Sequence, residues 1–351
     1  MSPKSYPSRN LGRNGPDVSA IGFGAMGIGA FYGKSDEQEV LKTLTYAADR
    51  GVTFWDTADM YGTSEVVLGN WFAETGRRSE IFLATKFGGW DLTPGATDPM
   101  KPNSKPSYIR RQIENSLNAL LTDWIDLYYQ HRVDPEVPVE VVLETLQPYV
   151  ESGKIKYIGL SECDNDYLRR ARAVPGVGEK VVACQMEFSP YDLGIEKSGF
   201  VSTARELGVA IVAYSPLGRG LITGRYKSRE DFDADDHRKV LPRFSEENFA
   251  KNLELTNKFR AVASKYGATP GQVALAWILA EHPDFIPIPG TRSVERLEEN
   301  AKAAEIKLSP EDVKEIRLVV EAADVQGARY PVQYLNGMKQ TSIALSEWKG
   351  E

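Results

Sequence analysis

The chain has 351 residues, 42% of them hydrophobic, enough for one large core and within the range of a single barrel-type domain. Its 42 Lys and Arg against 49 Asp and Glu give a net charge of -7, without the basic excess that nucleic-acid binding draws on. No apolar run reaches the roughly 18 residues of a membrane span and no apolar run follows a basic segment at the start, so a cytoplasmic protein with neither membrane nor nucleic-acid partners is expected. The composition fits a monomer and a homo-oligomer equally. Cys163 and Cys184 are too few for a disulfide framework and sit in or beside apolar runs, which reads as buried thiols, and no neighbour has metal-ligand spacing.

A turn over Leu11 to Gly15 separates two short stretches and predicts an N-terminal hairpin within residues 1–20. Short apolar runs then occur at Ile21 to Gly24, Thr53 to Asp56, Ile81 to Lys86, Trp124 to His131, Ile155 to Ser161, Val181 to Glu187, Ala210 to Ser215 and Phe285 to Pro289. Helix-period segments alternate with them: Glu37 to Arg50, Glu65 to Glu74, Tyr108 to Leu121, Val139 to Ser152, Asn165 to Ala173, Gly199 to Leu207 and Val294 to Ala303. Strand followed by helix, repeated, predicts parallel strands in an α/β fold. An open doubly wound sheet competes with a closed (β/α)8 TIM barrel. The length, and the absence of a linker rich in Pro, Gly and Ser, favour the barrel as one domain over 1–351. Gly88 to Ser107, Leu217 to Ser245 and a tail from about 324 to 351 read as irregular, the tail being placed to fold over the strand-end face.

Gly22, Gly24 and Gly27 match G-x-G-x-x-G, but the loop is expected to continue to a helix start at Ser35 or Asp36. A dinucleotide fingerprint opens a helix directly, so these glycines are read instead as letting backbone pass close to a ligand.

Asp56 ends one strand, with Tyr61 just beyond it; Lys86 ends the next and His131 the one after. Each has an ordinary structural explanation, as a cap, a half-buried aromatic, a surface charge or a core histidine. Successive strand ends of a barrel meet at one mouth, and there the four make a chemical set. Reduction of a carbonyl needs a proton donor where negative charge develops on oxygen. Tyr61 supplies the proton, Lys86 stabilises its phenolate, Asp56 holds the ammonium and His131 orients the carbonyl. A carboxylate-pair hydrolase built on Asp56 and Asp59 is the competing chemistry.

In this order, Asp56, Tyr61, Lys86 and His131 resemble the catalytic tetrad of the aldo-keto reductase superfamily. The likeness continues through Ile158-Gly159-Leu160-Ser161, Gln185, Tyr214-Ser215-Pro216-Leu217-Gly218 and Pro287-Ile288-Pro289-Gly290-Thr291. It implies a barrel that binds NADP(H) across its strand-end face and reduces a small-molecule aldehyde or ketone, reversibly. On this resemblance Ser161, Glu162 and Gln185 meet the nicotinamide carboxamide and Tyr214 stacks on its ring. Ser215, Leu217, Gly218, Arg219 and Gly220 wrap the pyrophosphate. Gly290, Thr291, Arg292, Arg296, Glu299 and Asn300 grip the adenosine and its 2'-phosphate. Met26, Phe31 and Trp90 would line the substrate pocket. Glu162 stands where many relatives carry asparagine. That feature, with the Leu217-Gly218-Arg219-Gly220 loop, resembles the bacterial, fungal and plant branch that includes pyridoxal reductases and auxin-induced-type reductases. Potassium-channel β subunits, which bind nicotinamide nucleotide as regulatory subunits, are a non-enzymatic alternative within the same superfamily.

Overall fold

Strand pairing is dictated by runs in which every second residue is apolar and inward. In the computed structural model, which describes residues 6–29, 36–233 and 236–351, these runs form one parallel sheet. Its strands, in chain order and in spatial order, are β3 (Phe23–Gly24), β4 (Phe54–Asp56), β5 (Phe82–Phe87), β6 (Ile125–Gln130), β7 (Ile155–Ser161), β8 (Val181–Glu187), β9 (Ala210–Tyr214) and β10 (Phe285–Pro287). The ends meet through a Gly24 to Gly290 bridge and through amides of Gly22 and Gly24, which donate to Pro287 O (2.9 Å) and Pro289 O (3.2 Å). This closes the expected (β/α)8 barrel.

A Cβ on Gly22 would lie 2.8 Å from Ile288 Cγ2, and one on Gly24 would lie 2.9 Å from Ile288 O, so closure of the barrel by itself excludes a side chain at both positions. A one-turn helix, α1 (Met26–Gly29), also stands where a loop was expected, although the main helix starts only after the Asp36 cap. Ser35 lies outside the described residues.

The helices that follow are α2 (Glu37–Arg50), α3 (Ser64–Thr75), α4 (Pro106–Ala119), α5 (Val139–Glu151), α6 (Asn165–Ala173), α7 (Gly194–Lys197), α8 (Phe200–Leu207), α9 (Glu246–Lys265), α10 (Pro270–Glu281), α11 (Val294–Lys302), α12 (Pro310–Glu321) and α13 (Val332–Gly337). Asp36 starts α2 by accepting from the amides of Gln38 and Glu39, and Gly51 ends it at φ 86°. Helices α9, α10 and α12 are not among the helix-period segments named above. Every residue of α10 from Val273 to Ile278 is buried, so no polar face marks a helical period.

β1 (Ser8–Asn10) and β2 (Asp17–Ser19) form the antiparallel hairpin. It closes the bottom of the barrel: Leu11 and Val18 join the interior cluster of Phe54, Ala84, Leu127, Tyr129, Ala183, Val212 and Ile286. Outward residues such as Trp55, Phe87 and Tyr128 pack against the helices. Among the described residues no helix is long and apolar enough to cross a membrane.

Candidate active site

Alternation along the strands builds the site. Two residues above the inward Phe54, Ala84, Tyr129, Gly159, Ala183 and Val212 stand Asp56, Lys86, His131, Ser161, Gln185 and Tyr214, so the inward surface changes from apolar to polar in one step at the strand ends.

Lys86 is fully buried, and its Nζ donates to Asp56 Oδ1 at 2.5 Å and to Thr57 O at 2.7 Å. Gln185 Nε2 donates to the other Asp56 oxygen at 2.7 Å. The ammonium lies 5.0 Å from the centre of the Tyr61 ring, which meets the His131 ring edge-on at 5.6 Å. Thus the structure brings all four tetrad candidates together. Burial pulls Lys86 below the ordinary ammonium value, with Asp56 opposing the shift, and burial raises Asp56. The lysine proton is therefore held less tightly than in water. His131 is driven well below the usual imidazole value, by burial first and then by the charges of Arg132 and Lys86. It is a neutral hydrogen-bonding group near neutral pH.

Asp59 does not join this set. It is half-buried on the helix side of the wall, where it accepts from Gln112 of α4 at 3.0 Å and faces Glu65 of α3. Asp56 and Asp59 therefore share no substrate space, which removes the carboxylate-pair hydrolase. Burial, with Glu65 adding to it, raises Asp59 to about 8. A carboxyl raised on folding stabilises fully below its unfolded pKa of about 4 and loses that contribution as pH climbs through about 8. Asp59→Asn is expected to flatten the decline of urea stability from pH 5 to 8, by up to about 1.4 kcal/mol per pH unit. Parallel pH curves for the two proteins would refute this.

On the far side of the mouth Glu162 and Glu187 are both buried. Tyr214 OH donates to Glu162 Oε1 at 2.9 Å, and Arg329 of the tail donates to both Glu162 oxygens. Burial raises Glu162, but Arg329, Arg132 and Tyr214 together outweigh it and hold the carboxyl below the ordinary glutamate value. Its Oε1 also accepts from Glu187 N at 3.2 Å, whereas Arg329 is the one donor to Oε2 among the described residues. Glu187 is flanked by Arg243 (3.5 Å), Arg329 (3.6 Å) and Arg219 (3.7 Å). Arg219 also lies over the Tyr330 ring at 4.6 Å.

The sequence reading missed Arg132, Arg243, Arg329 and Tyr330. Arg132 had a local signal, since it directly follows His131. The tail residues had none beyond the expectation that the tail crosses the mouth. It does cross: Gln326 meets Asn252 of α9, Arg329 meets Glu162, Gln340 O accepts from Asp164 N, and Ile343 N donates to Pro135 O.

Backbone strain is concentrated in the same place. Glu162 (φ 56°), Ser215 (φ 50°) and Arg219 (φ 56°) all adopt the left-handed region, next to Gly218 and Gly220 with positive φ. Leu217 opens a 3-10 segment running to Thr223. Gly290 borders β3, and Thr291 Oγ1 accepts from Ser293 N. Ser293 caps α11 by accepting from Arg296 N. Arg292 is half-buried and Arg296 exposed at this helix start. Asn300 is buried, while Glu299 accepts from Thr269 Oγ1 at 2.6 Å and so ties α11 to α10. Met26 and Trp90 are both half-buried, and Trp90 O accepts from Tyr108 OH at 2.8 Å. Phe31 lies outside the described residues. Cys163 and Cys184 are buried free thiols.

Fold and site together define a barrel protein whose strand-end mouth carries a buried cluster of Asp56, Tyr61, Lys86 and His131. The Aldo/keto reductase family model matches residues 20–321, and the chain belongs to that family. It is 49% identical over 331 residues to aldo-keto reductase yakc of Schizosaccharomyces pombe, whose name carries NADP(+), covering 93% of this chain and 95% of that one. It is 47% identical to aldo-keto reductase str7 of Strobilurus tenacellus, over 92% and 94% of the two chains. A thermostable aldo-keto reductase crystallised with the inhibitor epalrestat superposes with a TM-score of 0.72 at 31% identity, covering 89% of this chain and 99% of that one.

Proposed function

We propose that the protein is an NADP(H)-dependent reductase of aldehydes or ketones, with Tyr61 as proton donor. The observation that carries this is the Asp56–Lys86 pair, 2.5 Å apart and buried, with its ammonium 5.0 Å from the Tyr61 ring. The NADP(+) in the name of the Schizosaccharomyces pombe relative supports the cofactor.

The residues present fit such a dinucleotide. The left-handed backbone at Ser215 and Arg219, with Gly218 and Gly220, forms a turn that a pyrophosphate can approach closely. The capped start of α11, with Arg292 and Arg296, suits a 2'-phosphate. Ser161 and Gln185, paired across β7 and β8, would face the carboxamide beside Tyr214. When bound, NADPH supplies the hydride.

The chain's own residues do the rest. Tyr61 donates its phenolic proton to the carbonyl oxygen, and the Lys86 charge stabilises the phenolate that results. Asp56, held by Gln185, fixes the ammonium in place. His131, being neutral, donates a hydrogen bond to the carbonyl without competing as an acid.

The test is NADPH consumption with a panel of aldehydes and ketones, pyridoxal included, for the wild type and Tyr61→Phe. Tyr61→Phe is expected to lose at least about 100-fold in turnover while still binding NADPH. Tight NADPH binding by the wild type without turnover of any carbonyl would favour a nicotinamide-binding regulatory subunit instead.

A further inference from the structure

Arg132 stands between the tetrad and the tail, and its charge reaches both His131 and Lys86. Its Nη1 donates to His131 O at 2.8 Å and to Ser161 Oγ at 3.3 Å, which fixes the plane of the guanidinium. Its Nε is buried and has no hydrogen-bond partner. The other arginines of the mouth are matched with carboxylates: Arg329 with Glu162, Arg243 with Asp192 and Glu187, and Arg219 with Glu187. Among the described residues Arg132 makes no such ion pair. The acidic groups around it are the phenols of Tyr214, Tyr330 and Tyr334, together with Glu162, which Arg329 already holds.

A guanidinium whose Nη1 is occupied and whose Nε side is not presents a planar two-donor edge, the geometry that a carboxylate matches with parallel hydrogen bonds. Leaving a buried N–H of a cation unmet is unfavourable, so this edge is suited to a group that arrives with the substrate. We propose that Arg132 binds a carboxylate carried by the carbonyl substrate, making this enzyme selective for aldehyde or keto acids over neutral carbonyl compounds. The proposal rests on the reductase reading and adds the substrate class to it. Arg132 is adjacent to His131 in sequence and bonded to Ser161, so a carboxylate on its free edge would sit beside the site proposed for the reacting carbonyl.

The experiment compares ortho-, meta- and para-carboxybenzaldehyde with the corresponding nitrobenzaldehydes, whose nitro group has the carboxylate's shape without its charge. For each pair the ratio of kcat/KM, carboxyl over nitro, is measured in the wild type, Arg132→Met and Arg132→Lys. Effects on folding, on the tetrad or on cofactor binding act on both members of a pair and divide out. For at least one isomer Arg132→Met is expected to lower the ratio roughly 10- to 100-fold, mainly through KM, with Arg132→Lys in between. An unchanged ratio in all three pairs would overturn the proposal while leaving the reductase intact. Equal losses in both members, with weaker NADPH binding by fluorescence titration, would assign Arg132 to the cofactor and also overturn it. Failure of the wild type to reduce any of these aldehydes while NADPH binds would count against the reductase reading itself, and the carboxylate proposal would fall with it.

Discussion

Lys86→Met is expected to be inactive and unstable, and the two losses should be separable. Removing the ammonium leaves Tyr61 without the charge that stabilises its phenolate, so kcat/KM should fall roughly 10³- to 10⁴-fold. It also leaves Asp56, a buried carboxylate, with Gln185 as its remaining side-chain donor. Removing one member of a buried ion pair costs about 3–5 kcal/mol, because the charge left behind cannot be solvated. Adding Asp56→Asn removes that charge, so the double variant should recover most of the urea stability lost by Lys86→Met. It should recover none of the activity. If stability and turnover returned together, the pair would be only a structural element and Tyr61 would not depend on it. Full turnover in Lys86→Met would remove the lysine from the mechanism altogether.

What could be read from the chain alone was whatever repeats at short range. Alternation along the strands placed Asp56, Lys86 and His131 at successive strand ends, and caps fixed helices such as α2 and α6 to the residue. Segments without a polar face carried no such signal, which is why α10 escaped notice. Glycines gave a position but not a cause: Gly22 and Gly24 were read as sites of close approach, and in the structure Ile288, just past β10, is what approaches both. Glu162 was placed at the carboxamide on the family resemblance alone, which says nothing of the tail. Its ion-pair partner in the structure, Arg329, is 167 positions away, and no local pattern links the two. Arg132 was adjacent to a recognised residue, but only the pairing of every arginine around it shows that it has no carboxylate.

Arg329→Met is expected to release the tail. Glu162 is 2% exposed at its side chain and Arg329 21%, so the pair is well desolvated on the barrel side and reachable on the tail side. Losing the guanidinium leaves a buried carboxylate with the Tyr214 hydroxyl and the Glu187 amide as its hydrogen-bond donors. The full cost of an unpaired buried charge, about 3–5 kcal/mol, is an upper limit here, because the tail can lift and admit water. Opening should therefore be local: proteolysis after residue 324 should accelerate by at least about tenfold, while the urea midpoint of the barrel moves little. Glu162→Gln should open the tail to a lesser degree, because the amide oxygen still accepts from Arg329. The acid dependence follows from the sign of the shift. Glu162 is held below the ordinary glutamate value, so the pair contributes above that value and is lost as pH falls through the folded one. Wild-type tail cleavage by an acid-tolerant protease should thus rise below about pH 4, whereas cleavage of Arg329→Met should already be fast at neutral pH and change less. Equal cleavage rates in the two proteins at neutral pH would show that the tail is held elsewhere, through Gln340 and Ile343, and that the Arg329 pair orders only the cofactor side of the mouth.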